Sequence, residues 1–201
     1  MTMTLHLVAL GANAGVSRAA NARRVSRAMG VLAALFPGRV AGSALYATPA
    51  WPPASGPEFV NAAMSIRAPL PPARMLALLH RVEARLGRVR GRRWGERKLD
   101  LDLLASGAAV RPDEVTQSRW RRLAPDRQRV ETPQQLILPH PRLQDRAFVL
   151  IPLAEIAPGW RHPLTGRSVA EMVAALPAAA RRDIRPLPAA KKALVKRSGV
   201  A

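Results

Sequence analysis

Two carboxylates separated by one residue carry the strongest chemical signal in this chain. In Leu99-Asp100-Leu101-Asp102-Leu103 apolar and acidic residues alternate, so a strand would bury the leucines and present Asp100 and Asp102 on its other face. Their backbone positions would then lie roughly 7 Å apart. Like charges at that spacing repel and call for a cation. Mg²⁺ shared with a polyphosphate is one answer, because it takes one or two protein carboxylates and phosphate oxygens; pairing with nearby arginines is the other. The preceding segment supplies Arg88, Arg90, Arg92, Arg93, Arg97 and Lys98 around Trp94, with Gly91 and Gly95 as joints. Arginine forks match phosphate oxygens bidentately. Cations and carboxylates this dense beside a tryptophan point to phosphate transfer.

The elements that must position these residues follow from hydrophobic period and breakers. Thr4–Leu10 reads as a buried strand running into Gly11-Ala12-Asn13-Ala14-Gly15, a turn that matches neither the dinucleotide-binding glycine pattern nor a P-loop. A helix is predicted over about Ser17–Phe36, with Val25, Met29, Leu32 and Phe36 on one face. Pro37-Gly38 ends it, and Arg39–Thr48 reads as a second strand before a proline-stiffened loop. Glu58–Arg67 is a third strand, with Val60, Ala62, Met64 and Ile66 inward and Phe59 and Asn61 together on the opposite face. A ring beside an amide can hold a flat heterocycle by stacking and paired hydrogen bonds, or can simply be a cross-strand contact. Pro71-Pro72 opens a helix with Met75, Leu79, Val82 and Leu86 inward, Gly87 stops it, and His80 and Glu83 share its other side. The aspartate strand comes next. The order is β-α-β-β-α-β, so the fold class is α+β, a ferredoxin-like antiparallel sheet with helices on one face and C-terminal additions.

Further on, residues 106–135 turn polar, with Trp120 among arginines, and read as a peripheral insertion with room for one helix. Val149–Ile156 is apolar, but Pro152 argues against a central strand there. Ser168 and Glu171 form a capping box ahead of a helix that turns Val169, Met172, Val173 and Leu176 inward. Residues 1–176 are therefore expected to form a single domain, and 177–201 a basic tail, disordered at least from Pro188.

Composition narrows the class. The chain has 201 residues, enough for a proper core, and no cysteine, which excludes disulfides and thiolate metal sites and suits a reducing cytoplasm. No run approaches a membrane span and no basic leader precedes the first apolar residues, so neither membrane association nor a signal peptide is expected. The net charge of +19 admits nucleic acid, membrane surfaces or anionic substrates. An RNA-binding sheet needs two or three stacking aromatics, whereas this chain has three Phe and one Tyr, with Phe59 the one placed on an outward strand face. Nucleic acid is not the expected partner.

Several motifs in order resemble one family. They are Leu10-Gly11-Ala12-Asn13, Tyr46-Ala47-Thr48-Pro49, Phe59-Val60-Asn61-Ala62, Glu83 with Leu86-Gly87-Arg88, Arg93-Trp94-Gly95, Arg97 with Leu99-Asp100-Leu101-Asp102, Leu138-Pro139-His140-Pro141-Arg142, Arg146-Ala147-Phe148-Val149-Leu150 and Glu155-Ile156-Ala157-Pro158. Together they resemble the 6-hydroxymethyl-7,8-dihydropterin pyrophosphokinases of folate biosynthesis, over about residues 5–165. The resemblance implies a cytoplasmic transferase that moves pyrophosphate from ATP to the 6-hydroxymethyl oxygen of the pterin, leaving AMP, with a ferredoxin-like fold; a monomer is expected.

Roles follow from the resemblance, position by position. Asp100 and Asp102 would hold two Mg²⁺ ions that bridge to the ATP phosphates. Arg88 and Arg90 would lie on a mobile loop that closes over the site, with Trp94 in the closing region. Arg97, His140 and Arg146 would contact ATP phosphates, with Glu83 and His80 on the nucleotide side. Phe59 and Phe148 would sandwich the pterin, Asn61 would read its edge, and Thr48 and Pro49 would supply backbone contacts. The chain also departs from the family pattern. Ala12 stands where serine is usual, Glu96 where proline is usual and His80 where glutamine is common, the arginine loop is about one residue shorter, and the segment before Pro139 is longer.

Overall fold

The computed structural model describes residues 2–14, 17–49, 57–87 and 99–188. Strand β1 (Thr4–Ala12) leads into helix α1 (Arg18–Leu35), which Ser17 caps by accepting the Ala20 N–H at 3.2 Å. Two short strands follow, β2 (Val40–Gly42) and β3 (Tyr46–Thr48), then the long β4 (Phe59–Ala68). Helix α2 (Pro72–Arg85) starts with proline in its first turn, and Gly87 beyond its end takes φ +85°, where other residues are strained. Strand β5 (Asp100–Ser106) completes this part. The fold is mixed α/β with an antiparallel sheet. Its strand order is β5-β1-β4-β3, with β2 also paired to β4.

The sheet is buried on both faces, and β1 at its centre shows why its sequence lacks clean alternation. Val8, Leu10 and Ala12 join Val60, Met64, Ile66, Leu101 and Leu103 against α1 and α2. Leu7 and Ala63 face the other way, with Leu104 and Ala105. Both of those β5 residues can face the same side because the β1–β5 register slips between Leu7 and Val8, leaving Leu104 as a bulge. Each buried leucine contributes about 1.5–3 kcal/mol of transfer free energy.

That second face is covered by the C-terminal part. Two helices, α3 (Glu114–Arg121) and α4 (Pro125–Val130), precede α5 (Ala147–Ile156), whose Val149, Leu150 and Leu153 pack on Leu7, Ala63 and Leu104. Val149–Ile156 is thus helix, with Pro152 inside it. The capping box at Ser168 and Glu171 opens α6 (Val169–Ala174) as the spacing predicts.

Three expectations need correction. Arg39–Thr48 is two strands and not one, because regular pairing with β4 is interrupted at Ser43 and Ala44, although the Ser43 N–H still donates to the Ala63 carbonyl at 2.9 Å. Ser43 Oγ accepts the Ala63 N–H at 2.9 Å, and Glu155 of α5 accepts the Ala44 N–H at 2.8 Å and the Tyr46 hydroxyl proton. Residues 106–135 contain two helices, with β5 running to Ser106. The start of the expected tail is structured: α7 (Ala178–Arg182) precedes β6 (Arg185–Pro186), which pairs with β3 and extends the sheet. Residues 189–201 lie outside the described residues. Among the described residues no helix is long and apolar enough to cross a membrane.

Candidate active site

Gly11, near the end of β1, stands opposite Asn61 of β4 on one side and Asp100 of β5 on the other. Opposed residues of an antiparallel ladder share a face, so an amide, a glycine and a carboxylate form one row across the sheet. Asp102 stands opposite Ala9 on that same face. The glycine is required by crowding: a Cβ at position 11 would lie 2.7 Å from Asn61 Oδ1. Asn61 Nδ2 donates to Thr48 Oγ1 at 2.6 Å, and both residues are buried, so the amide's orientation is set. Thr48 in turn stands opposite Phe59 on β4.

The far wall comes from the chain around α5. Arg146, at the N-cap of α5, holds its guanidinium 5.6 Å from the centre of the Phe148 ring. The His140 N–H donates to the Leu104 carbonyl at 2.8 Å, tying this segment to the outer edge of β5. His140 Nδ1 accepts the Arg142 N–H at 3.1 Å, which puts the imidazole proton on Nε2. Burial foremost, then the charges of Arg146 and Arg142, hold the His140 pKa down to about 3 against the opposing pull of Asp100. The ring is therefore a neutral N–H donor at physiological pH. Arg142 also pairs with Asp145 at 3.0 Å.

These groups line one cleft of about 970 Å³. It brings together Thr48, Pro49, Phe59, Asn61, Asp100, Asp102, His140, Arg146 and Phe148, all of which the sequence singled out, and His80 as well. Arg88, Arg90, Trp94 and Arg97 lie outside the described residues. Glu83 is the exception among the rest. Its side chain is buried and its Oε1 accepts the Leu101 N–H at 2.7 Å, so it supports β5 from below and is absent from the cleft wall. Sequence reasoning missed Gly11 as a site residue, although a glycine at a strand end is a recognised sign of close backbone approach. It also missed Trp120 and Leu123, which line the cleft from residues expected to be peripheral.

Asp100 and Asp102 offer hard oxygen donors, half-exposed, on one face of the cleft. Among the described residues no group of three or more metal-ligating side chains occurs. A pair of carboxylates with the remaining positions left to phosphate and water fits Mg²⁺ and does not fit a zinc site.

Two carboxylates on β5 and, across β1 from them, a ring beside an amide on β4 would suit a transferase that moves a phosphate group onto a flat heterocycle. Comparison with known proteins agrees. The family model described as 7,8-dihydro-6-hydroxymethylpterin-pyrophosphokinase (HPPK) matches residues 7–158, and the chain belongs to that family. It is 40% identical to the 2-amino-4-hydroxy-6-hydroxymethyldihydropteridine pyrophosphokinase of Methylorubrum extorquens, over 87% of this chain and 94% of that protein. It is 36% identical to the Synechocystis enzyme of the same name over 58% of this chain, and there spans only 50% of the relative's length. Among solved structures, a triple mutant of Plasmodium falciparum HPPK-DHPS superimposes with a TM-score of 0.60 at 13% identity, covering 86% of this chain and 44% of that one. That last likeness concerns the fold alone.

Proposed function

We propose that this protein transfers the β,γ-pyrophosphoryl group of ATP to the hydroxymethyl oxygen of 6-hydroxymethyl-7,8-dihydropterin, giving the pterin diphosphate and AMP. The observation that supports this reading is the row Asn61–Gly11–Asp100: an amide and a carboxylate stand opposite the same glycine, one strand to either side. A pterin held between Phe59 and Phe148, with its amide edge on Asn61, would project its side chain across Gly11 toward the carboxylates. The substrate alcohol is the nucleophile. Its oxygen bonds to the β-phosphorus, its proton is released, and the bond from that phosphorus to the α,β-bridging oxygen breaks, so no protein nucleophile is needed.

Asp100 and Asp102 would hold two Mg²⁺ ions, which when bound would offset the charge that spreads over the transferring phosphoryl oxygens. Arg146 and the neutral His140 Nε2–H would orient the phosphates without adding a proton equilibrium near neutral pH. Arg88, Arg90, Trp94 and Arg97 are assigned to phosphate binding and closure by family resemblance. The sheet order β5-β1-β4-β3 supports a ferredoxin-like arrangement of the first five strands and two helices, with α5 and α6 added on the second face. We place the reaction in the cytoplasm, in a monomer. The test is product analysis: AMP must form only when ATP, pterin and Mg²⁺ are all supplied.

A further inference from the structure

We propose that Trp120, carried on α3, is a specificity-determining residue that packs against the purine of the nucleotide. The inference rests on the reading just given. The ring-binding residues sit on β3 and β4, Gly11 on β1 and the carboxylates on β5. Outside β5 comes the segment 138–140, bound through the His140 N–H to the Leu104 carbonyl. Outside that segment comes α3. Leu138 and Arg111 exchange backbone hydrogen bonds at 2.9 and 3.1 Å, and the wholly buried Gln117 donates from Nε2 to the Pro139 carbonyl at 3.0 Å. The helix is therefore pinned to the segment that carries His140.

Trp120 follows Gln117 by three residues and so lies on the same side of α3. Gln117 anchors that side, and Trp120 is half-buried and lines the cleft with Leu123. From β4 to the 138–140 segment is three strand spacings, ~15 Å. A triphosphate engaged at Asp100, Asp102 and His140, with its transferable end toward the pterin, must leave its nucleoside at the other end of the cleft. The wall there mixes apolar side chains, Trp120, Leu123 and Leu136 with Leu76 of α2, with the uncharged polar and acidic residues of 128–135, and among the described lining residues of this stretch none is cationic. It has little to offer a phosphate and suits the face of a heterocycle. The longer chain before Pro139 thus forms the base end of the cleft, and the purine is the part of the nucleotide that Trp120 reads.

The test compares equilibrium binding of α,β-methylene-ATP with binding of inorganic tripolyphosphate, both with Mg²⁺, in the wild type, Trp120→Ala and Trp120→Phe. Tripolyphosphate has the phosphates and no base. Trp120→Ala should weaken the nucleotide analogue about tenfold or more, as loss of a stacking partner does, and leave tripolyphosphate within about twofold. Trp120→Phe should retain most of the affinity. If Trp120→Ala does not fold, Trp120→Leu carries the comparison, because it keeps apolar bulk and loses the flat face. Equal weakening of both ligands, or of neither, overturns the role of Trp120. Failure of the wild type to bind the nucleotide analogue at all would instead overturn the function on which it rests.

Discussion

Glu83 Oε1 accepts the backbone N–H of Leu101 at 2.7 Å, and Leu101 is the residue between Asp100 and Asp102. The bond comes from a buried carboxylate on α2 and meets β5 on the side away from β1. It holds the backbone from which both proposed ligand carboxylates project. Glu83→Ala should leave a buried N–H without its acceptor, at a cost of about 1–3 kcal/mol in stability. It should also raise the Mg²⁺ concentration needed for half-maximal turnover. Glu83→Gln keeps a carbonyl acceptor and should recover most of the Mg²⁺ response. Titrating turnover with Mg²⁺ in the two variants distinguishes a positioning role from a merely stabilising one, since the latter moves the melting temperature alone.

Gly11→Ala tests the row across the sheet. The added Cβ would meet Asn61 Oδ1 at 2.7 Å, so the amide must rotate or the strands must part. Thr48 opposes rotation through its 2.6 Å hydrogen bond with Asn61. Pterin affinity should fall by an order of magnitude or more, while binding of Mg²⁺ and nucleotide changes less. Calorimetric titration with each ligand separately reads the difference.

Phe59→Ala and Phe148→Ala should each weaken pterin binding by about 1–3 kcal/mol, by analogy with base stacking. The two variants should differ toward ATP. The Arg146 guanidinium lies 5.6 Å from the centre of the Phe148 ring, so removing that ring takes one contact from a proposed phosphate-orienting group, whereas among the described residues no cation is found over Phe59. Nucleotide affinity should therefore drop more in Phe148→Ala than in Phe59→Ala, and identical nucleotide affinities would argue against the role of Arg146.

Much of this arrangement could be read from the chain alone. Alternation in Leu99–Leu103 identified the carboxylate face, and the pairing of Phe59 with Asn61 on the outer face of β4 followed from a period of two. What escaped is held by contacts distant in sequence. The break between β2 and β3 depends on Glu155, more than a hundred residues downstream of Ala44 and Tyr46. Glu83 shares an exposed side with His80 by spacing, yet β5 closes over it and His80 stays exposed. The polar composition of residues 106–135 hid a cleft wall, because one tryptophan and one leucine among arginines do not make a periodic apolar face.

His162 makes stability depend on pH. Burial foremost, then the charge of Arg121, hold its pKa down to about 4, from an ordinary value of 6.5. Between those values the unfolded chain binds a proton that the folded chain excludes, so stability falls as pH falls through that window, by up to about 3 kcal/mol. His6 and His140 are shifted in the same direction and add to the effect. His162→Gln should flatten the dependence. Urea unfolding at pH 7 and pH 4.5 measures it.

The central claim is that Asp100 and Asp102 serve pyrophosphoryl transfer in this cleft. Phosphorus NMR of purified protein with ATP, Mg²⁺ and 6-hydroxymethyl-7,8-dihydropterin tests it directly, in the wild type and in Asp100→Asn and Asp102→Asn. The wild type should yield AMP and pterin diphosphate in equal amounts with no ADP, and both variants should keep the wild-type melting temperature and lose turnover by at least about a thousandfold. ADP with a pterin monophosphate, or near-normal turnover in either folded variant, would contradict the account.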